Sequence, residues 1–107
     1  MAYDEVLASH IRGLISGEDN VTEQKMFGGL AFLVHGNMAV AASGQGGILV
    51  RVDPAESDRL VETTAAEEMV MRGRAMAGWL RVEPADDELS QWVERGLSYA
   101  RSLPPKR

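Results

Sequence analysis

Apolar residues in the middle of the chain fall into three short runs separated by glycine-containing links. The runs cover residues 30–35, 38–43 and 48–52, and Gly36-Asn37 stands between the first two. Short apolar runs bounded by glycine favour strands, and a two-residue link that accepts positive φ joins antiparallel strands without splaying them. The pattern therefore predicts a three-stranded antiparallel meander in which His35 pairs with Met38.

The two faces of this meander differ in side-chain size. In the predicted register Phe32 and Met38 fall on a bulky face, whereas Ala31 and Ala39 fall on a face of small residues. The bulky face suits packing by helices. The small face suits a close helix contact, a shallow groove or a surface against another subunit. Because a short chain also leaves strand edges open, we expect a homodimer.

Three helices are predicted around the meander. Residues 3–16 and 86–102 carry apolar residues at spacings of three and four, which is the period of an amphipathic helix. Asp53 followed by Pro54 is typical of a helix start, with Asp as the N-cap and Pro at the first helical position. This second helix is expected to end near Thr63.

A second strand pair follows the middle helix. It is predicted at residues 68–72 and 78–82, with residues 73–77 as the connecting loop, and residues 21–27 form either a further short strand or an extended lead-in. The chain is thus one α+β domain over residues 1–107. Its predicted order is α-β-β-β-α-β-β-α, with an extra short strand before the meander left open, and helices cover one antiparallel sheet.

Composition indicates how the domain is stabilised and in which compartment it is expected. A chain of 107 residues with 45% hydrophobic and 25% charged residues is long enough to bury a core without a metal or a disulfide. Cysteine is absent, which excludes disulfides and thiolate zinc sites and is compatible with a reducing compartment. The N-terminal segment does not have the pattern of a signal peptide, and no apolar run is long enough to span a membrane. We expect a cytoplasmic protein without a membrane partner.

Charge argues against direct binding to nucleic acid. The net charge is −5, with 16 acidic and 11 basic residues, so the chain as a whole repels phosphates. The distribution is uneven, because residues 69–82 hold Arg72, Arg74 and Arg81 and no acid. These three arginines are predicted to converge at one end of the sheet, with Arg74 in a loop. Any anionic partner is expected to bind there locally and weakly.

Two further residues are candidates for contact with a ligand or partner. Arg51 lies inside a predicted strand, where it is either solvated or paired with a glutamate, or else holds an anion or a partner carboxylate. Trp79 stands at the start of another strand, where it either closes the edge of the core or offers a stacking platform.

Motifs for catalysis are missing from the sequence. There is no G-x-S-x-G elbow, no thiol nucleophile and no H-E-x-x-H, and His10 and His35 lie far apart without an evident third ligand. We therefore expect no enzyme, no cofactor and no metal. The alternative from another functional class is a protein that binds a small ligand or an anion with Arg51, Arg74 and Trp79, for which catalysis stays open.

Three short motifs, in this order and spacing, carry a resemblance to a known family. Met26-Phe27-Gly28-Gly29, Gly36-Asn37-Met38 and Gly78-Trp79-Leu80 resemble the N-terminal domain of the TfoX/Sxy family, and the similarity extends over residues 3–101. The resemblance implies a fold similar to the secretion-chaperone-like class. It also implies a role in the regulation of natural competence for full-length members, which work alongside a transcription activator and carry a further C-terminal helical domain.

The printed sequence ends at Arg107 without that further domain. The expectation is therefore a stand-alone N-terminal domain that acts as a non-catalytic regulatory or protein-interaction module. Its expected partner is a protein, with a transcription regulator as one candidate.

Overall fold

Helices and strands fill most of the described part of the chain. The computed structural model describes residues 4–26, 28–44, 46–64, 66–71, 73–85 and 87–104. The helices are α1 (Glu5–Leu14), α2 (Pro54–Thr63) and α3 (Leu89–Ser102). The strands are β1 (Val21–Met26), β2 (Gly29–Val34), β3 (Asn37–Ala42), β4 (Ile48–Arg51), β5 (Glu67–Met71) and β6 (Arg74–Val82).

Local sequence accounts for the starts of the first two helices. The Asp4 side chain accepts hydrogen bonds from the backbone N–H groups of Val6 and Leu7, at 3.0 and 3.1 Å. The Asp53 side chain accepts one from the N–H of Ala55 at 2.9 Å, with Pro54 at the first position of α2. Each bond satisfies an N–H that has no partner within the helix. The cap predicted at Asp53 is thus confirmed.

The strands form one antiparallel sheet in the order β1-β2-β3-β4-β6-β5. The described element order is α-β-β-β-β-α-β-β-α, so the α+β prediction is confirmed and the strand left open before the meander is β1. Strands β1 to β4 lie side by side because each pairs antiparallel with the next strand in sequence. The β5–β6 hairpin then joins the sheet through β6, which pairs with the free edge of β4. Strands β1 and β5 are the two edges.

The turn between β2 and β3 differs from the prediction by one residue. Val34 pairs with Asn37, so the two-residue loop is His35-Gly36 and not Gly36-Asn37. His35 has φ 51° and Gly36 has φ 83°. Positive φ at both central positions is the requirement of a type I′ hairpin turn, whose twist matches that of the strands. The predicted pairing of His35 with Met38 is therefore wrong.

A β-bulge in β3 exchanges the faces predicted for Met38 and Ala39. Phe32 pairs with Val40 while Leu33 pairs with Met38, which leaves Ala39 as the extra residue. An extra residue shifts the period of two by one. Met38 therefore lies on the face away from the helices, and Ala39 lies in the core beneath them.

The main core lies between the sheet and all three helices. Helix α3 crosses β2, β3 and β4, α1 packs beside α3, and α2 packs on the β5–β6 side. Ile11, Phe32 and Val93 are among the side chains withdrawn almost completely from water. Burial of such apolar surface is the dominant stabilising term of a domain of this size.

The face of small residues is not an open surface. Ala31 and Ala41 are 0% and 1% exposed, because Leu33, Met38 and Leu49 close over them. The partly buried side chains of Met69 and Trp79 pack against this second cluster. The sequence left three alternatives open for this face: a helix contact, a groove or a surface against another subunit. The structure instead shows a small second core, formed by residues of the chain itself.

The β5–β6 hairpin is longer than predicted. Its strands close with the pair Met71 and Arg74, so most of the expected loop belongs to β6. Leu80 pairs with Glu68, but the next paired residue of β6 is Met76, which leaves residues 77–79 without partners in β5. This irregularity places Trp79 beside β4, where it pairs with Arg51.

No helix within the described residues is long and apolar enough to cross a membrane.

Candidate interaction site

An open groove follows the exposed side of α3 and reaches the end of α1 and the start of α2. Its volume is about 920 Å³. The walls include Leu14, Val52, Glu56, Glu94, Ser98 and Tyr99, and this surface is called the α3 groove below. Leu14 is 43% exposed, which is unusual for a large apolar side chain at the end of an amphipathic helix. The groove therefore offers both apolar contact and hydrogen-bonding groups.

Charged side chains of both signs lie along the α3 groove. Asp53, Glu56 and Glu94 line it together with one base, Arg95. Glu56 lies 3.8 Å from Arg95 and 3.3 Å from Arg59, and Glu94 lies 3.0 Å from Arg101. These arginines offset the charges of Glu56 and Glu94, so the acidic character of the helical layer comes from further exposed acids, such as Asp58 and Glu62 on α2. A positively charged partner surface matches this groove.

Arg101 ties α3 to the segment that follows α1. Its guanidinium donates to Glu94 on the same helix and to Glu18 beyond α1. Burial acts to lower the pKa of Arg101, but the hydrogen bonds and charges of Glu94 and Glu18 outweigh it and raise that pKa. These bonds fix the wall of the α3 groove on the α1 side.

Arg12 and Glu23 form a similar tie between α1 and β1. Arg12 donates from Nε and Nη2 to the two oxygens of Glu23, at 2.6 and 2.9 Å. These bonds hold the pKa of Glu23 below its ordinary value.

Arg51 and Trp79, both predicted contact residues, lie together in the structure. They are cross-strand partners in β4 and β6. The Arg51 guanidinium carbon lies 5.2 Å from the centroid of the Trp79 ring and 5.8 Å from that of Tyr99 on α3. Both distances are within the range of a cation–π interaction. Arg51 therefore connects the sheet, through Trp79, with the helical layer, through Tyr99.

Arg81 serves the fold as a link. Its Nη2 donates to the carbonyl oxygen of Gly46 at 2.9 Å and lies 3.8 Å from Glu83. The side chain is half-buried and holds the glycine-rich β3–β4 loop against β6. Gly46 and its neighbour Gly47 have φ 92° and 71°, a conformation that glycine adopts without steric cost.

Arg74 and Arg81 do not converge at one end of the sheet, so the prediction is wrong for these two arginines. Arg74 is the first residue of β6 and is exposed, whereas Arg81 is the last but one of its 9 residues. Seven strand positions correspond to roughly 20 Å. Arg74 lies in a strand and not in a loop, because the hairpin closes tightly at Met71 and Arg74. Arg72 lies outside the described residues.

Two features of this surface could not be found from the sequence. Tyr99 was not predicted as a contact residue, because it flanks the apolar stripe of α3 and nothing local pairs it with Arg51. The α3 groove depends on how three helices are spaced over the sheet.

Together these elements define a two-layer α+β domain with an open groove on its helical layer. The chain belongs to the TfoX N-terminal domain family, whose model matches residues 13–100. No curated protein and no solved structure matches the chain. The likeness to the secretion-chaperone-like class therefore stays a prediction.

The motifs that carry the family resemblance have structural tasks. Gly36 supplies the positive φ of the β2–β3 turn. Asn37 beside it is buried, and its Nδ2 donates to the carbonyl oxygen of Pro104 at 2.9 Å, which fastens the segment after α3 to β3. Gly78 has φ 85°, and a Cβ there would lie 3.0 Å from the carbonyl oxygen of Val52. Glycine is therefore needed where β6 meets the end of β4.

Proposed function

We propose that this domain is a non-catalytic regulatory module that binds a partner protein in the α3 groove. The observation that carries the proposal is the groove itself, which is open along a helix and combines apolar and polar walls. Exposed apolar surface rimmed by polar groups is typical of protein interaction sites. Leu14 offers an apolar contact, and Ser98 offers a hydrogen bond at the outer side of α3.

The charge of the groove selects the kind of partner. The exposed acids of the surrounding helices, such as Asp58 and Glu62, favour a basic segment, and their long-range field would speed association with one. Proteins that bind nucleic acid carry clustered Lys and Arg, so a transcription regulator has the chemistry that this surface accepts. The domain would then act on the regulator and not on nucleic acid.

A role without catalysis is supported by the positions of the titratable side chains. His10 lies exposed on α1 and His35 lies exposed in the β2–β3 turn, and neither lines the α3 groove, where a general base would be expected to lie. Asp53 is engaged as the cap of α2, and Glu56 and Glu94 are engaged in ion pairs. We propose that this role belongs to the cytoplasm, with which the absence of cysteine is compatible.

A matched pair of variants tests the groove. Ser98→Arg puts a long cation into the α3 groove, whereas Gln24→Arg makes the same change of charge on exposed strand β1. Wild type and both variants serve as bait for proteins from the source cell, with bound proteins quantified by mass spectrometry. We expect at least one basic protein to be retained by wild type and Gln24→Arg and lost by Ser98→Arg. Equal retention of every bound protein by all three baits would contradict the proposal, provided that the melting curves agree.

We also propose a homodimer, formed through the open edge of the sheet at β5. Val70 on this edge is 64% exposed. An edge strand with an exposed apolar side chain offers unpaired backbone groups and apolar contact to a second copy, and a two-fold axis would pair both copies alike. Both edges carry charged side chains, Glu23 and Lys25 on β1 and Glu67 and Glu68 on β5, so the exposed Val70 is the feature that favours β5.

A further inference from the structure

Arg51 differs from five other described arginines in what surrounds its charge, and from Arg74, which also has no ion pair within the described residues, in being partly buried where Arg74 is exposed to water. Arg12, Arg59, Arg81, Arg95 and Arg101 each have a carboxylate within 4 Å, as the ion pairs of Arg12 at 2.6 Å and Arg95 at 3.8 Å illustrate. Arg51 has two aromatic rings instead, those of Trp79 and Tyr99. Within the residues that the structure describes, no carboxylate or carbonyl group accepts a hydrogen bond from its guanidinium.

The physical state of this guanidinium is unusual for a partly buried cation. A guanidinium has five N–H donors in one plane, and removing them from water costs free energy unless acceptors replace the water. The rings of Trp79 and Tyr99 stabilise the positive charge by roughly 0.5–2 kcal/mol each, but they accept no ordinary hydrogen bond. The rings also restrict the side chain, so little further entropy is lost when an acceptor binds.

We propose that Arg51, held by Trp79 and Tyr99, binds a carboxylate group of a ligand or of a partner chain. A carboxylate matches the planar fork of a guanidinium with two parallel hydrogen bonds. One arginine balances the single charge of a carboxylate. It does not balance the double charge of a phosphate in the same way. The site goes beyond the groove proposal and does not depend on it.

The chain offers a matched control for this site. Arg95 also lies over an aromatic ring, that of Trp92 at 5.5 Å, but its charge is engaged with Glu56. Arg51→Lys and Arg95→Lys both keep the positive charge and remove the planar fork. Only the first change should affect binding of a carboxylate.

Nuclear magnetic resonance titration of the whole chain measures the effect directly. Sodium acetate is the probe, sodium chloride at equal ionic strength is the control, and inorganic phosphate is the competing oxyanion. The observed signals are the Nε–H of Arg51 and the indole N–H of Trp79. We expect acetate to shift both signals saturably, chloride to leave them in place, and phosphate to bind no more tightly than acetate.

The variants separate recognition from general salt effects. Arg51→Lys should weaken acetate binding by about tenfold or more, since the bidentate pair is lost, and Arg95→Lys should leave it unchanged. The proposal is overturned if acetate acts like chloride, if Arg51→Lys binds acetate as wild type does, or if phosphate binds more than tenfold tighter than acetate. If Arg51→Lys fails to fold, the wild-type titration still decides between these results.

Discussion

A Cβ atom placed on Gly96 of α3 would lie 2.4 Å from the carbonyl oxygen of Ala39 in β3. Ala39 is the extra residue of the β-bulge, so the closest approach of helix and sheet falls where the strand is irregular. The contact sets the height of α3 above the sheet, and with it the depth of the α3 groove.

Gly96→Ala should therefore destabilise the domain. The added methyl group meets backbone, which cannot move aside as a flexible side chain would, so α3 must lift. We expect a loss of about 1–3 kcal/mol in the free energy of unfolding. Urea denaturation followed by circular dichroism measures it.

Gly13→Ala is the control for that change. Nothing lies within 4 Å of a Cβ at Gly13, which is exposed on α1. Its stability should be unchanged or raised by up to about 1 kcal/mol. If Gly96→Ala and Gly13→Ala changed the free energy of unfolding equally, helix propensity and not the contact with Ala39 would be the cause.

His35→Asn should stabilise the β2–β3 hairpin. His35 has φ 51°, a conformation that asparagine adopts at lower cost than histidine, and Asn-Gly is the preferred pair in a type I′ turn. We expect a gain of about 0.5–1 kcal/mol, seen as a higher melting temperature. His10→Asn in α1 makes the same chemical change at a helical position and should bring no gain. A lower melting temperature for His35→Asn would contradict the turn assignment.

The Arg12–Glu23 ion pair should stabilise the fold only at pH values at which the Glu23 carboxyl is ionised. Since the folded pKa of Glu23 is below the unfolded one, the folded state binds its proton less readily, and the pair stabilises the fold once the carboxyl is ionised in both states. The contribution is complete above about pH 6 and is lost as the pH falls through the unfolded pKa towards the lower folded value. The pair is well exposed, so the effect is below about 1 kcal/mol.

Urea denaturation of wild type and Glu23→Gln at about pH 7 and about pH 3 checks this dependence. The difference in stability between the two proteins should shrink at the lower pH. Glu62→Gln, which changes an exposed carboxylate of α2, should show no such change. A constant difference for Glu23→Gln at both pH values would mean that the ion pair is not its source.

The dimer proposed at β5 predicts a mass twice the 11.6 kDa of one chain in light scattering at micromolar concentration. Val70→Lys should shift the protein to monomer, because a buried cation without a partner would oppose the pairing. Val6→Lys changes a valine that is 79% exposed on α1 and should leave the dimer intact. A wild-type mass of one chain would rule out the dimer, and dissociation by Val6→Lys would place it elsewhere.

Local chemistry explains which parts of the fold were predictable. The start of α2 at Asp53 and Pro54 depends on neighbours in sequence, and the meander depends on runs of apolar residues between glycines. The bulge at Ala39 was not predictable, because an extra residue in a run of apolar residues leaves no mark on hydrophobicity. Its consequence, the exchange of Met38 and Ala39 between faces, is set by tertiary packing against Gly96.

The candidate site was predictable only in part. Arg51 and Trp79 stood out as polar and aromatic residues in predicted strands, and the structure places them together. Tyr99, the third residue of this cluster, lies on α3 almost fifty residues after Arg51. No sequence periodicity connects Tyr99 with Arg51. Arg74 and Arg81 are close in sequence, but the extended β6 separates them, so nearness along the chain was misleading.

Binding of a captured partner to the α3 groove tests the central proposal most directly. The measurement is isothermal titration calorimetry of the purified basic partner with wild type, Ser98→Arg and Gln24→Arg at low and physiological salt. The account predicts that Ser98→Arg weakens binding by about tenfold or more, that Gln24→Arg stays within about twofold, and that wild-type affinity falls as salt rises. Equal affinity of Ser98→Arg and wild type would contradict the assignment of the groove as the interaction site.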